Sequence, residues 1–339
     1  MRRRSTEVAR VGLVVPLQGP AGLFGPSCEA VAATAVRSIN DAGVLGRELA
    51  VEVIDGGARP EEVGATVGRL VDAGRIDAVT GWHISAVRHA VAPVTAGRIP
   101  YVYTSLYEGG ESRPGVFCSG ETPARQIAPA LRWLRDMCGV RRWFVVGDDY
   151  VWPRASVEVT RQFARRLDLQ LIGTAYVPLG TDDFRGVVER IRASDAQGVL
   201  LYLVGQDAVQ FNRVFAEQGL QDRLVRFTPL MEENMLLASG AEATRNLFVC
   251  ASYFRSLATP SALEFCGDYV DQHGPDAPPL NNAAESCCEG LMALAALAQR
   301  AGSLDVHRTV AVADGLGYDG PRGPVSFAGN HLTSRCSRW

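Results

Sequence analysis

The feature that most constrains this chain is an alternation. Short, unbroken apolar runs rich in β-branched residues are separated by longer stretches whose apolar residues recur every three or four positions. VGLVV is followed by SCEAVAATAVRSIND, where Ala30, Val31, Thr34, Ala35 and Ile39 can share one helical face. LAVEVIDGG then gives way to PEEVGATVGRLVDAG, IDAVTGW to SAVRHAVAPVTAGR (helical despite Pro93), and IPYVYTS to a short strand, VFCSG. The cycle resumes with ARQIAPALRWLRDMCG, RRWFVVGDD, RASVEVTRQFARRLD, LQLIGTAYVPL, DDFRGVVERIRASD, GVLLYLVG, QDAVQFNRVFAEQGL and RLVRFTPL. Unbroken apolar runs of about four to eight residues are strands buried on both faces, and helices between them make βαβ units with parallel sheets. The units are too many for one compact sheet, so the expectation is an α/β protein of two doubly wound, Rossmann-like lobes. NNAAESCCEGLMALAALAQRAG reads as a mostly buried helix and VSFAGN as a final hairpin.

Ligands of open parallel sheets bind beyond the carboxyl ends of the strands. Those ends are PLQGPAG (16–22), DGG (55–57), GWHIS (81–85), YTSLYEGGE (103–111), GDDYVWPR (147–154), LVGQD (203–207) and PLMEEN (229–234). None carries a dinucleotide glycine pattern, a P-loop, an HExxH zinc motif or a GxSxG nucleophile elbow. Asp148-Asp149 lacks a third ligand for a metal, and no cofactor is implied. His83 has no nucleophile nearby in sequence and reads as a polar contact in a cleft rather than a catalytic base. Ser85 opens a helix, where a serine is either an N-cap or, beside free N–H groups, a contact for a ligand oxygen. Tyr103, Thr104 and Ser105 close the neighbouring strand. Tyr150 and Trp152 close a strand of the other lobe, either as an aromatic wall of the site or as packing at the hinge.

Net charge is −3, and no basic stretch is interleaved with aromatics, which argues against nucleic acid as a direct partner. Cysteines at 28, 118, 138, 250, 266, 287, 288 and 336 show no metal-ligand spacing and are expected to be reduced. In MRRRSTEVARVGLVVPLQG the only apolar run, Val11 to Val15, is shorter than the about 7–15 residues of a signal peptide core. No stretch approaches the ~20 apolar residues of a membrane span. As it stands the chain is expected in the cytoplasm, or outside it if translation starts further upstream.

Taken together, RVGLVVPLQGPAG, INDAGVLGRELAVEVID, GWHISAVRHAVAPV, YTSLYEGGE, GDDYVWPRAS and GTDDFRGVVERI resemble the type I periplasmic-binding-protein superfamily. Within it they resemble the branch that binds urea and short-chain amides, in ABC transporters or in a cytoplasmic amide sensor. The resemblance implies a clamshell whose lobes are joined by three crossovers: lobe 1 from 8–120 plus 253–328, lobe 2 from 121–252, and a tail, 329–339, shorter than in the family. A shortened tail would leave an unpaired strand edge. It also implies a non-enzymatic protein that closes over a small neutral amide or urea-like ligand. An amide hydrolase is the less favoured alternative, since no activated nucleophile is evident. Ser85, Tyr103, Ser105 and Tyr150 match the family's ligand contacts, with Glu232 and Glu233 matching a variable loop loosely. His83 stands where the amide sensor has a tyrosine. The Ser…Ala-Thr pattern of leucine-type members is missing from YTSLYEGGE, which points away from an amino-acid ligand. The implied partner is a regulator protein or an ABC permease, with homodimer formation left open.

Overall fold

A computed structural model describes residues 8–334. The first half builds one sheet through β1 (Val8–Val15), α1 (Gly25–Asp41), β2 (Glu48–Asp55), α2 (Pro60–Asp72), β3 (Ala78–Gly81), α3 (Ser85–Thr95), β4 (Tyr101–Tyr103) and β5 (Val116–Cys118). The chain then enters a second sheet through α4 (Pro123–Cys138), β6 (Arg142–Asp148), α5 (Val151–Arg166), β7 (Gln170–Val177), α6 (Arg185–Arg192), β8 (Gly198–Tyr202), α7 (Gln206–Glu217), β9 (Val225–Thr228), α8 (Glu233–Ser239) and β10 (Leu247–Val249). It returns to the first with α9 (Pro260–His273), α10 (Asn282–Ala301), α11 (Val306–Ala313), β11 (Gly317–Gly320), β12 (Gly323–Ala328) and β13 (His331–Ser334).

The two sheets run β11-β12-β13-β5-β4-β3-β1-β2 and β10-β9-β8-β6-β7. Pairing is parallel throughout the βαβ units, as in β1 on β2 and β6 on β8, and antiparallel in the β11-β12-β13 meander. The fold is therefore the two-lobed α/β arrangement that the alternation implies. Val11, Leu13, Val145 and Leu200 are fully buried because helices cover both faces of each sheet. α10 is buried along most of its length, as its composition implies. It lies so close on the first sheet that a Cβ at Gly290 would sit 2.1 Å from the Thr80 hydroxyl. The VSFAGN hairpin is the β12-β13 pair, which turns at Gly329 (φ +59°) and meets β5 at His331 and Cys118.

Among the described residues the chain crosses between sheets twice, between Cys118 and Pro123 and between Val249 and Pro260. The third crossover that the resemblance implies is not among the described residues. Gln126 of α4 ties the two crossings together, its amide Nε2 donating to Pro229 O at 2.7 Å and also to Cys250 O. The carboxyl ends of β1, β2 and β3 consequently face those of β6, β7 and β8 across one cleft.

Candidate functional site

The lobes touch across that cleft. Gln206 N donates to Pro20 O at 2.8 Å, and Asn234 Nδ2 donates to Leu23 O at 2.8 Å. Gly205 (φ +55°) makes this approach feasible, because a Cβ there would lie 2.0 Å from Pro20 O. On the first lobe Asp55 pins the loop after β1, accepting from Leu17 N at 2.9 Å and Gln18 Nε2 at 2.5 Å. Between the lobes lies a cavity of about 320 Å³ walled by Pro16, Gln18, Ile84 and Ala86 from one side and Tyr150, Leu179 and Val204 from the other.

Ser85 is the first residue of α3, and Ile84 holds the cap position. The serine hydroxyl therefore does not cap the helix. It lies 3.4 Å from the Tyr103 hydroxyl, which donates to His83 O at 3.0 Å. Ser105 is occupied by the same loop: its hydroxyl donates to His83 O at 2.6 Å and accepts from His83 N at 3.0 Å. The structure thus brings Ser85, Tyr103 and Ser105 together around the backbone of His83. The His83 ring turns inward, with Nε2 2.9 Å from the Tyr101 hydroxyl, and burial pushes its pKa down to about 3. It is a neutral ring packed among tyrosines.

Thr104 lies on the other face of the sheet, its hydroxyl 2.9 Å from Ser286 Oγ on α10. Alternation along an extended chain separates it from Tyr103. Half-buried Tyr150 caps α5 and reaches the cavity. Trp152, only two residues on, packs edge-on against Tyr202 at 5.5 Å inside the second lobe. Glu232 holds the cap position of α8 without a side-chain cap bond, and accepts from Ala283 N at 3.2 Å, at the first turn of α10. Burial, and then neighbouring Glu233, push its pKa up to about 8.

Arg88, which sequence reading missed, forms a buried ionic cluster with Glu108 and Glu111, two residues of the YEGGE stretch that carried the resemblance without an assigned role. Arg88, on α3, is 2% exposed. It donates to Glu108 Oε1 at 2.5 Å and to Glu111 Oε2, while its guanidinium lies over the rings of Tyr103 (5.5 Å) and Tyr107 (5.0 Å). Glu111 also accepts from the backbone N–H groups of Ser112 and Arg113, each at 3.0 Å. Burial alone would raise both carboxyls. Backbone N–H groups together with Arg88 hold them below the ordinary glutamate value, helped at Glu108 by His89 and Ser85 and at Glu111 by Arg113. One signal was present in sequence: Arg88 shares its helical face with buried Val91, Ala92 and Thr95, and a buried arginine demands acidic partners.

On the second lobe, Asp148 accepts from Val204 N at 2.8 Å and Asp207 accepts from Gly180 N at 2.7 Å. Burial raises both carboxyls, and their mutual repulsion raises Asp148 further. Together they hold the two loops that carry Leu179 and Val204. Asp149 points away and pairs with Arg154 at 2.5 Å, so the Asp148-Asp149 pair does not converge. Among the described residues no group of three or more His, Cys, Asp or Glu is placed to hold a metal, and the described cysteines are free thiols.

Comparison with known proteins gives a consistent result. The profile of a family described as "Periplasmic binding protein" matches residues 8–338. The "Leu/Ile/Val-binding protein homolog 6" of Brucella melitensis is 25% identical, covering 96% of this chain and 86% of that protein. Among solved structures, a solute binding protein of an ABC transporter from Rhodopseudomonas palustris, in complex with p-hydroxybenzoic acid, superposes with a TM-score of 0.87 at 19% identity, covering 96% of this chain and 91% of that one. The branched-chain amino acid transporter substrate binding protein LivJ of Streptococcus pneumoniae, in complex with isoleucine, gives 0.84 at 15% identity, covering 96% and 94%.

Proposed function

The chain belongs to the periplasmic binding protein family, and from that premise we propose that it captures a small, uncharged amide or urea-type solute between its lobes as the binding component of an ABC-type importer. The observation that carries the reading is the cavity of about 320 Å³ where Tyr150 of one lobe faces the start of α3 on the other. The first N–H groups of α3 have no partner within the helix and, with the Ser85 hydroxyl, offer donors to a carbonyl oxygen. Pro16, Ile84, Leu179 and Val204 supply apolar wall, beside the polar side chains of Gln18 and Arg59.

Size discriminates within the class. Urea and acetamide have four heavy atoms, which limits binding to about −6 kcal/mol, a Kd of tens of micromolar at best. A water occupies about 30 Å³ of liquid, so the cavity has room for roughly ten. An amide with a short alkyl or aryl tail fills more of the apolar wall than urea does. Closure is a two-state equilibrium, shifted only by contacts that the ligand makes when both lobes meet. Tyr150, facing Ile84 and Ala86 across the cavity, provides such contacts. The same closure would equally serve a sensor that signals to a regulator. The importer reading is preferred because the similar solved proteins named above are transporter components.

A thermal-shift panel of urea, formamide, acetamide, butyramide, isoleucine and 4-hydroxybenzoate tests the reading, since stabilisation follows mass action. Butyramide is expected to raise the melting temperature most, and Tyr150→Ala and Ser85→Ala to abolish the shift. A response confined to isoleucine or 4-hydroxybenzoate would sink the amide reading.

A further inference from the structure

The second lobe lends Tyr150, Leu179 and Val204 to the cavity wall, and all three hang on one pair of buried carboxyls. Asp148 ends β6 and is fully buried; Asp207 lies in the first turn of α7 and is 1% exposed. Asp148 Oδ2 accepts from Val204 N at 2.8 Å, and the backbone oxygen of Asp148 accepts from Tyr150 N at 3.0 Å. Asp207 Oδ2 accepts from Gly180 N, next to Leu179, at 2.7 Å. Asp148 Oδ1 is buried without a donor, and the side chain that Asp148 meets is Asp207, itself an acceptor. Two carboxylates cannot bond each other, whereas a carboxylic acid and a carboxylate can, through one proton. We propose that Asp148 and Asp207 share a single proton and act through it as positioning residues, fixing the second-lobe wall of the cavity and tying its shape to pH. The consequence for solute rests on the reading of the cleft as a solute site; the shared proton does not.

The surroundings say which group carries the proton. Asp207 sits at the amino end of α7, where the helix dipole favours negative charge, and it receives the N–H groups of Gly180 and Thr181. Asp148 has the Val204 N–H alone and is shut off from solvent. Asp148 therefore holds the proton on Oδ1 and donates it to Asp207, which keeps the charge. Burial pushes both carboxyls up, and repulsion from Asp207 pushes Asp148 up further, in agreement with this placement. Tyr150, at the start of α5, also faces the pair, and its hydroxyl is pushed up by burial and then by Asp148. Asp149 turns outward to Arg154, and among the described residues neither carboxyl of the pair is bonded to a basic side chain.

Release of the proton to solvent would leave two negative charges side by side out of water, where like charges repel strongly. The pair would separate and carry the 178–180 and 203–207 segments apart. The second of these also makes the contact between the lobes, through Gly205 and Gln206 against Pro20. Wall and closure thus answer to the same proton. The folded pair holds it more tightly than the unfolded chain does. Its contribution is fully present below pH 3.8 and is lost as pH rises through the raised value of the pair.

Three measurements on the intact protein test the proposal. Infrared difference spectra of wild type minus Asp148→Asn at neutral pH should show a carboxylic-acid carbonyl band that shifts in deuterium oxide. Hydrogen exchange read by mass spectrometry should show the peptides containing Gly180 and Val204 protected in wild type. That protection should fall at least tenfold in Asp148→Ala and return in Asp148→Asn, whose amide N–H replaces the shared proton. Raising the pH should erode wild-type protection, corrected for the intrinsic exchange rate, by up to about tenfold per pH unit, and leave Asp148→Asn level. Butyramide affinity, by calorimetric titration, should follow the same pH profile in each protein. If the acid band is missing, no proton is shared and the proposal is overturned. If the band is present but Asp148→Ala protects both segments like wild type, the positioning role falls. If exchange behaves as expected and butyramide binds at no pH, the amide reading falls and the pair stands. Should Asp148→Asn fail to fold, the wild-type exchange profile decides, and a flat profile from about pH 5 to about pH 10 overturns the proposal.

Discussion

Glu232 gives the sharpest test of the electrostatics, because its environment is described on every side. Its side chain is 2% exposed at the start of α8, one oxygen receives Ala283 N–H from the other lobe, and its pKa rises from 4.5 to about 8. Removal from water dominates, followed by Glu233; the N–H groups of Ala283 and Asn282 oppose the rise without cancelling it. The folded state thus holds this proton more tightly than the unfolded chain does. The contribution to stability is fully present below pH 4.5 and is lost as pH rises through about 8. At about 1.4 kcal/mol per pH unit, the difference reaches about 5 kcal/mol when both states are ionised. Glu232→Gln keeps the shape and the acceptor for Ala283 but cannot ionise. Urea denaturation of both proteins from pH 4.5 to 9 should give similar stabilities at the acid end. The variant should then gain steadily, exceeding wild type by several kcal/mol at pH 9. Titrating groups distant from Glu232 contribute equally to both curves and cancel in their difference, leaving Glu232 and its coupling to Glu233. Parallel curves between pH 5 and pH 8.5 would show that Glu232 ionises as an ordinary surface glutamate, and the burial argument would be refuted.

Two further substitutions probe closure and the ionic cluster. Gly205→Ala places a Cβ 2.0 Å from Pro20 O, so the closed form should be penalised and ligand affinity should fall at least tenfold, about 1.4 kcal/mol, in calorimetric titration; unchanged affinity would mean that this contact is not part of closure. Arg88→Met leaves Glu108 and Glu111 buried without their shared guanidinium and should cost about 3 kcal/mol in urea denaturation at neutral pH, with a smaller loss near pH 4 where the carboxyls take up protons.

The lobes were legible in sequence because a sheet covered on both faces requires unbroken apolar strands. VGLVV and GVLLY have no other comfortable environment in a soluble chain, and the helices between them leave parallel pairing as the simple outcome. The strand ends were legible for the same reason, and loops that follow them, at Pro16, Gln18, Ile84 and Tyr150, line the cavity. Side-chain direction was harder. Thr104 could have been excluded by alternation, since Tyr101 and Tyr103 share one face and Thr104 takes the other. His83 could not, because its partner Tyr101 belongs to the neighbouring strand and nothing local marks the ring as inward. Trp152 and Tyr150 are two residues apart, yet one begins a helix and the other packs inside the lobe.

The Arg88 cluster shows why the most informative residues were the least visible. Arg88 stands 20 residues before Glu108 and 23 before Glu111, so no local spacing connects them. Each of the three taken separately reads as a solvated surface charge. Only the βαβ geometry, which lays the start of α3 beside the end of β4, turns them into a buried unit that can fix a turn and orient two tyrosines. A substitution of Glu108 or Glu111 judged from sequence alone would seem innocuous, whereas the packed structure makes both costly. Glu111 is saturated by Arg88, Arg113 and two backbone N–H groups, so its loss should be felt in folding.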